Sequence, residues 1–117
     1  DYEQFNGIEN LRHVIVLYMG DTPAACGAFK VYDDTTIELK RIYVDKPFRR
    51  RGLSKILMQS LERWGAELGY CTAILETGPE QPEAISLYHR FGYRVIPNYP
   101  PYMDDSNSVC MEKEIKK

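Results

Sequence analysis

The apolar positions of this chain change period part-way along, and the change divides it. From Arg12 to Val44 they come in short β-branched or alternating runs, whereas from Leu53 to Leu68 they recur at threes and fours. Arg12–Tyr18 (RHVIVLY), Ala24–Tyr32 (AACGAFKVY) and Thr36–Val44 (TIELKRIYV) read as three strands. In the third, alternation puts Ile37, Leu39 and Tyr43 on one side, and Glu38 and Lys40 on the other. Gly20-Asp21-Thr22-Pro23 reads as a turn, with glycine for unusual dihedrals and proline to fix φ, and Asp33-Asp34 as the next. Turns this short imply an antiparallel meander.

Ser54–Leu68 carries the helical period. Leu53, Leu57, Leu61, Trp64 and Leu68 form the stripe with Ile56 beside it, and Lys55, Gln59, Glu62, Arg63 and Glu67 take the opposite face. Gly69 follows where a helix needs a left-handed residue to stop. Tyr70–Glu76 (YCTAILE) reads as a strand which, after a crossover helix, should lie parallel to the strand ending at Val44. Thr77–Gln81 is a loop, and Pro82 suits the first turn of a second helix carrying Ala84, Ile85, Leu87, Tyr88 and Phe91 before Gly92 ends it. Tyr93–Ile96 is a short strand, Pro97–Asn107 a Pro/Tyr-rich loop and Ser108–Ile115 a closing strand. Asp1–Leu11 is polar and reads as the end of a helix.

Composition narrows the picture. The 117 residues fit one domain, and a net charge of −2 lacks the basic excess of a nucleic-acid binder. The longest apolar run, Val14–Leu17, is too short to span a membrane, and no signal or targeting segment is evident. Cys26, Cys71 and Cys110 are odd in number and widely spaced among apolar or small neighbours. They are expected to be buried, reduced thiols of a cytoplasmic protein, not a disulfide framework. The chain has no CxxC or HxxxH spacing, so no metal site is expected.

Candidate chemistry concentrates between the third strand and the first helix, in Val44–Lys55 (VDKPFRRRGLSK). A helix N-terminus leaves backbone N–H groups unpaired and carries partial positive charge, so it holds anions. Arg49, Arg50 and Arg51 crowd that end, and Gly52 lets the backbone approach a ligand closely. These residues alone predict a cradle for a polyphosphate-bearing ligand.

Two segments then resemble one family. Val44-Asp45-Lys46-Pro47-Phe48-Arg49-Arg50-Arg51-Gly52-Leu53-Ser54 is similar to the Q/R-x-x-G-x-G/A motif of the GNAT superfamily of N-acetyltransferases. Arg49 stands at the Q/R position, Gly52 at the glycine, and Ser54 where Gly or Ala is usual. LETGPEQPEAISLYHRFGY (Leu75–Tyr93) resembles the second signature, TGxxNxxAxxLYxxxGF after a strand, with Gln81 for the frequent Asn and Tyr93 for Phe. Either match alone is weak; both, each on strand, loop and helix, are specific. The resemblance runs from about His13 to the C-terminus. It implies an α/β fold with a mixed, twisted sheet, an antiparallel N-terminal meander, a splayed parallel central pair and helices on both faces. Residues 1–117 would form a single acetyltransferase domain lacking the family's first strand and helix, and the exposed edge at Arg12–Tyr18 would be open to pairing in a homodimer.

The activity implied is transfer of acetyl from acetyl-CoA to a primary amine of a small molecule or peptide, by direct attack in a ternary complex. The pyrophosphate would lie on the amides of Arg50, Arg51, Gly52, Leu53, Ser54 and Lys55, with Arg49 and Gln81 contributing. The pantetheine arm would pair with Ile42, Tyr43 and Val44. An alkylammonium loses its proton near pH 10.4, so a free amine at pH 7 costs about 4–5 kcal/mol and a base is useful. Glu38 matches the position of a strand glutamate that some members use, with Glu76 as second candidate. Tyr88 stands at the general-acid position, beside the departing thiolate. Asp104-Asp105 with Tyr99 and Tyr102 would wall the acceptor site. His13 and His89 read as structural, and Cys110 lacks an evident basic partner for acetyl-enzyme chemistry. The alternatives are a catalytically weak acyl-CoA sensor on the same fold, and a phosphate or RNA binder using Arg49–Arg51.

Overall fold

The computed structural model describes residues 12–78 and 82–116, so Gln81 and the expectation for Asp1–Leu11 lie outside the described residues. Six strands form one sheet: β1 (His13–Met19), β2 (Thr22–Asp33), β3 (Thr36–Val44), β4 (Thr72–Thr77), β5 (Arg94–Ile96) and β6 (Val109–Glu114). They run in the order β1-β2-β3-β4-β6-β5. The two helices are α1 (Leu53–Glu67) and α2 (Pro82–Arg90). The expected elements are all present, with ends shifted by a residue or two.

β1, β2 and β3 form the antiparallel meander, and β3 pairs parallel with β4. That parallel ladder is short, joining Thr36–Glu38 to Thr72–Ile74, after which β3 and β4 separate. The cause lies on the far side of β3. Ala28 pairs with Lys40 and Cys26 with Tyr43, so Arg41 and Ile42 together face Gly27 in a bulge. Arg41 takes a left-handed φ of 59° there. The extra residue bends the strand away from β4 and reverses its alternation. Ile37 and Leu39 point into the core before the bulge, and Ile42 and Val44 after it. Tyr43, expected on the core side, instead donates its hydroxyl to Asp45 at 3.3 Å.

α1 covers the first face. Leu53, Leu57, Met58 and Leu61 meet Phe29, Ile37, Leu39, Leu75 and Met111. Trp64 is half-buried, edge-on to His13 and Phe29, and His13 stacks on Phe29 at 4.5 Å. Ile56 and Leu68, assigned to the stripe, are instead half exposed. Gly69 ends the helix at φ 101°, with Tyr70 N–H bonding back to the Gly65 carbonyl at 3.0 Å. α2 feeds the same core through Ile85, Tyr88 and Phe91. Helices were expected on both faces. Among the described residues the opposite face is instead packed by the loop after β5, whose Tyr99 and Tyr102 lie with Ile74, Cys110 and Tyr32.

Two local expectations are corrected. Pro23 lies inside β2 beside a register shift, where a missing N–H is tolerated, and Gly20 alone makes the left-handed bend at φ 63°. All three cysteines are free as expected, yet Cys71 is exposed because it precedes the ladder at the open end of β4.

Gly27 sets how closely the bulge and α1 approach. A Cβ there would stand 2.8 Å from Ile42 Cδ1, 3.1 Å from Leu57 Cδ2 and 3.2 Å from Leu61 Cδ1. Overpacking of this kind costs about 1–3 kcal/mol, partly offset by the lower entropy of an unfolded alanine chain. Gly27→Ala is therefore expected to destabilise by about 1–2 kcal/mol in urea unfolding with an unchanged m-value. A neutral result would show that Ile42 has room to turn away.

Candidate active site

The site begins where β3 ends. Asp45 closes the strand: its N–H bonds to the Ala24 carbonyl at 2.8 Å, and its carboxylate accepts from the Lys46 N–H at 3.1 Å, capping a short 3-10 turn at Lys46–Phe48. Arg49 donates from Nε to the Val44 carbonyl at 2.8 Å and lies over the Tyr43 ring at 5.7 Å. Arg51 lies over Phe48 at 5.9 Å. Two arginines of the run thus brace the loop with their side chains, which the sequence alone did not indicate. Arg50 at φ 66° and Gly52 at φ 77° turn the backbone left-handed just before α1.

Gly52 is the N-cap of α1 and offers no side chain to its first amides, and no acidic residue stands in the first turn. The N-terminal end of the helix therefore keeps its partial charge uncompensated by its own cap or first turn, beside a loop rich in arginine. Among the described residues nothing lies within 4 Å of where a Gly52 Cβ would be, so the backbone is open to approach at that point.

An open cleft of about 410 Å³ lies where β3 and β4 separate. Ile42, Leu75 and Thr77 line it, with Tyr88 from α2 and Tyr102 from the loop after β5. Glu38, Lys40 and Glu76 also reach it. Tyr88, on the α2 side, is half-buried, and burial raises its hydroxyl pKa above the ordinary value.

The carboxylates sit on the other face. Glu38 is 3% exposed, accepts from the Tyr99 hydroxyl at 2.8 Å and lies 3.6 Å from Lys40 Nζ. Lys40 Nζ donates in turn to the Tyr102 hydroxyl at 3.4 Å. Burial first, then the hydrogen bond to Glu38, raises the pKa of Tyr99, so it remains a donor. Glu76 is half-buried and accepts from Ser108 Oγ at 2.7 Å. The loop between β5 and β6 is tied in place: Asn98 Nδ2 donates to the carbonyls of Tyr102 and Asp105, and Tyr32 to that of Pro100. Of the expected site residues, Glu38, Ile42 and Tyr88 line the cleft, Tyr43 and Val44 end β3 outside its lining, and Arg49–Lys55 form the loop and the first turn of α1.

The relationships of the chain fit this geometry. Residues 1–93 match the profile of the acetyltransferase (GNAT) family. The chain belongs to that family. Its relatives include the uncharacterised N-acetyltransferase YsnE of Bacillus subtilis, 31% identical over 93% of this chain and 76% of that protein. A crystal structure from Klebsiella pneumoniae, assigned as an acyl-CoA N-acyltransferase, superposes with a TM-score of 0.84 at 30% identity, over 97% of this chain and 84% of the other. A GNAT-family acetyltransferase from Elizabethkingia anophelis, solved with acetyl-CoA bound, shares the fold at a TM-score of 0.81 and 16% identity, over 98% of this chain and 84% of the other. This chain is thus a GNAT N-acetyltransferase, of a family that takes its acetyl group from acetyl-CoA. Among the described residues no helix is long and apolar enough to cross a membrane.

One residue that lines the cleft was not singled out from the sequence. Lys40 was placed with Glu38 by alternation, yet its contact with Tyr102 comes from a loop 62 residues on. No local period reports such a pairing.

Proposed function

We propose that this GNAT enzyme binds acetyl-CoA along the loop and cleft just described and transfers acetyl directly to a primary amine in a ternary complex. The observation that carries the reading is the separation of β3 from β4 beyond Glu38, with an arginine-rich loop and a helix N-terminus without a side-chain cap following β3 in the chain. The pyrophosphate takes the amides from Arg50 to Lys55, with Gly52 admitting it and Arg49 holding the loop in shape. The pantetheine arm, a chain of amides, lies against the edge of β3 at Ile42–Val44. Gln81, which precedes Pro82 in the sequence, joins the donor's contacts.

The amine comes from the opposite face, under Tyr99 and Tyr102. An ammonium is drawn there by Glu38, Glu76 and the exposed Asp104 and Asp105. Glu38 takes the proton, with Glu76 the second carboxylate at the cleft. The neutral amine then attacks the thioester carbonyl and the C–S bond breaks; Tyr88 hydrogen-bonds the departing thiolate and relays a proton to it, its own hydroxyl being restored by the proton that the new amide nitrogen loses.

A thioester-consumption screen over polyamines, amino acids, arylalkylamines and peptide N-termini tests the proposal. Turnover is expected with at least one class. Acetyl-CoA binding without turnover on any amine would overturn it in favour of a sensing role.

A further inference from the structure

Glu62 belongs by period to the exposed face of α1, yet it is 9% exposed. Different elements occupy its two carboxylate oxygens. The Tyr93 hydroxyl donates to Oε2 at 2.8 Å, and Lys113 of β6 donates from Nζ to Oε1 at 2.8 Å. Tyr93, just beyond α2, is itself 2% exposed, with the Lys113 ammonium 5.7 Å from its ring centroid. One carboxylate therefore joins α1, the end of α2 and β6. A buried ion pair seldom stabilises more than apolar residues of the same size, so this cluster calls for a reason other than stability.

The reason lies one step further on. Tyr93 touches Tyr88 twice: its N–H donates to the Tyr88 carbonyl at 2.9 Å, and its ring meets the Tyr88 ring edge-on at 6.2 Å between centroids. Burial first, and then the Glu62 charge and hydrogen bond, keep the Tyr93 hydroxyl protonated and donating. We infer that Glu62 is a positioning residue for acetyl transfer, fixing the Tyr88 ring through Tyr93 relative to the helix whose N-terminus faces the donor. The inference rests on the reading of Tyr88 as the acid. Lys113 keeps Glu62 turned toward Tyr93 by occupying its other oxygen. Proton delivery tolerates little displacement, so a ring held only by apolar neighbours delivers less well.

Tyr93→Phe keeps the ring and removes the donor, and Glu62→Gln with Lys113→Met removes the charge pair together. Each is expected to lower kcat about 5- to 20-fold, as misplacement does. The acetyl-CoA Kd should stay within about 2-fold, in proteins whose thermal melts remain cooperative. In a Tyr88→Phe background, adding Tyr93→Phe should cost nothing more. An equal loss in both backgrounds would overturn the inference, as would an unchanged kcat in Tyr93→Phe while Tyr88→Phe is impaired. An unimpaired Tyr88→Phe would instead defeat the acid reading itself. A readout independent of any acceptor is the ring signal of Tyr88 in ¹³C-tyrosine-labelled protein. It should shift or broaden in Glu62→Gln, and an unmoved signal also sinks the inference.

Discussion

Gly52→Asp is expected to weaken acetyl-CoA binding by about 100- to 1000-fold while leaving the protein folded. Two like charges about 4 Å apart at an effective dielectric near 20 repel by about 4 kcal/mol, which is the upper end of that range. The new carboxylate would stand where the pyrophosphate is proposed to lie. The fold should hardly notice. An aspartate at φ 77° pays left-handed strain of about 1–2 kcal/mol, but it tolerates that region better than most residues, and its charge suits a helix N-terminus by about 0.3–1 kcal/mol. Among the described residues nothing lies within 4 Å of the added Cβ. Calorimetric titration with coenzyme A, beside a thermal melt, separates the two effects. Gly52→Ala is the control, since it adds the strain without the charge and should lose far less affinity. If alanine and aspartate weaken binding equally, the donor does not place its phosphates at this helix end.

Tyr88→Phe should lower kcat about 100-fold or more, the usual contribution of a positioned acid, with acetyl-CoA affinity nearly unchanged. The hydroxyl is useful only while protonated. Burial raises its pKa above the tyrosine value near 10, so the active form persists through neutral and mildly alkaline solution. Any loss of kcat that Tyr88 causes should therefore appear above about pH 10, and activity falling near pH 8 would have to come from another group. An unchanged kcat in Tyr88→Phe removes the residue from the acid role and leaves water to protonate the thiolate.

Much of the fold was legible because its signals are local. The stripe of Leu53, Leu57 and Leu61 and the stop at Gly69 both lie within reach of a helical period and are found as expected. The meander and the parallel pairing of β3 with β4 follow from turn chemistry and crossover handedness. The loop between β3 and α1 was legible too, as a basic segment with glycine between strand and helix.

The misreadings share a cause. Alternation placed Tyr43 in the core because it assumes an unbroken strand, and the bulge at Arg41 carries no glycine to announce it. Helical period put Glu62 in solvent, since its partners lie 31 and 51 residues away. Cys71 was taken for a core thiol from its neighbours, when exposure there depends on where the ladder starts. The second face shows the same limit: composition gives a Pro/Tyr-rich loop, but only the fold lays Tyr99 against Glu38.

The loop between β5 and β6 has a consequence for how such a protein can diversify. It is anchored by its own Asn98 and by contacts from Tyr32, Glu38, Lys40 and Glu76, while α1 and the arginine loop belong to the other side of the sheet. On the proposed reading the donor is held mainly around Arg49–Lys55, with Gln81 and Tyr88 beyond, and the acceptor is met by residues 97–107, a separate stretch of chain. If that reading holds, exchanging the second stretch should retarget the enzyme to new amines while coenzyme A affinity stays the same. The fold works as a fixed grip with an interchangeable jaw.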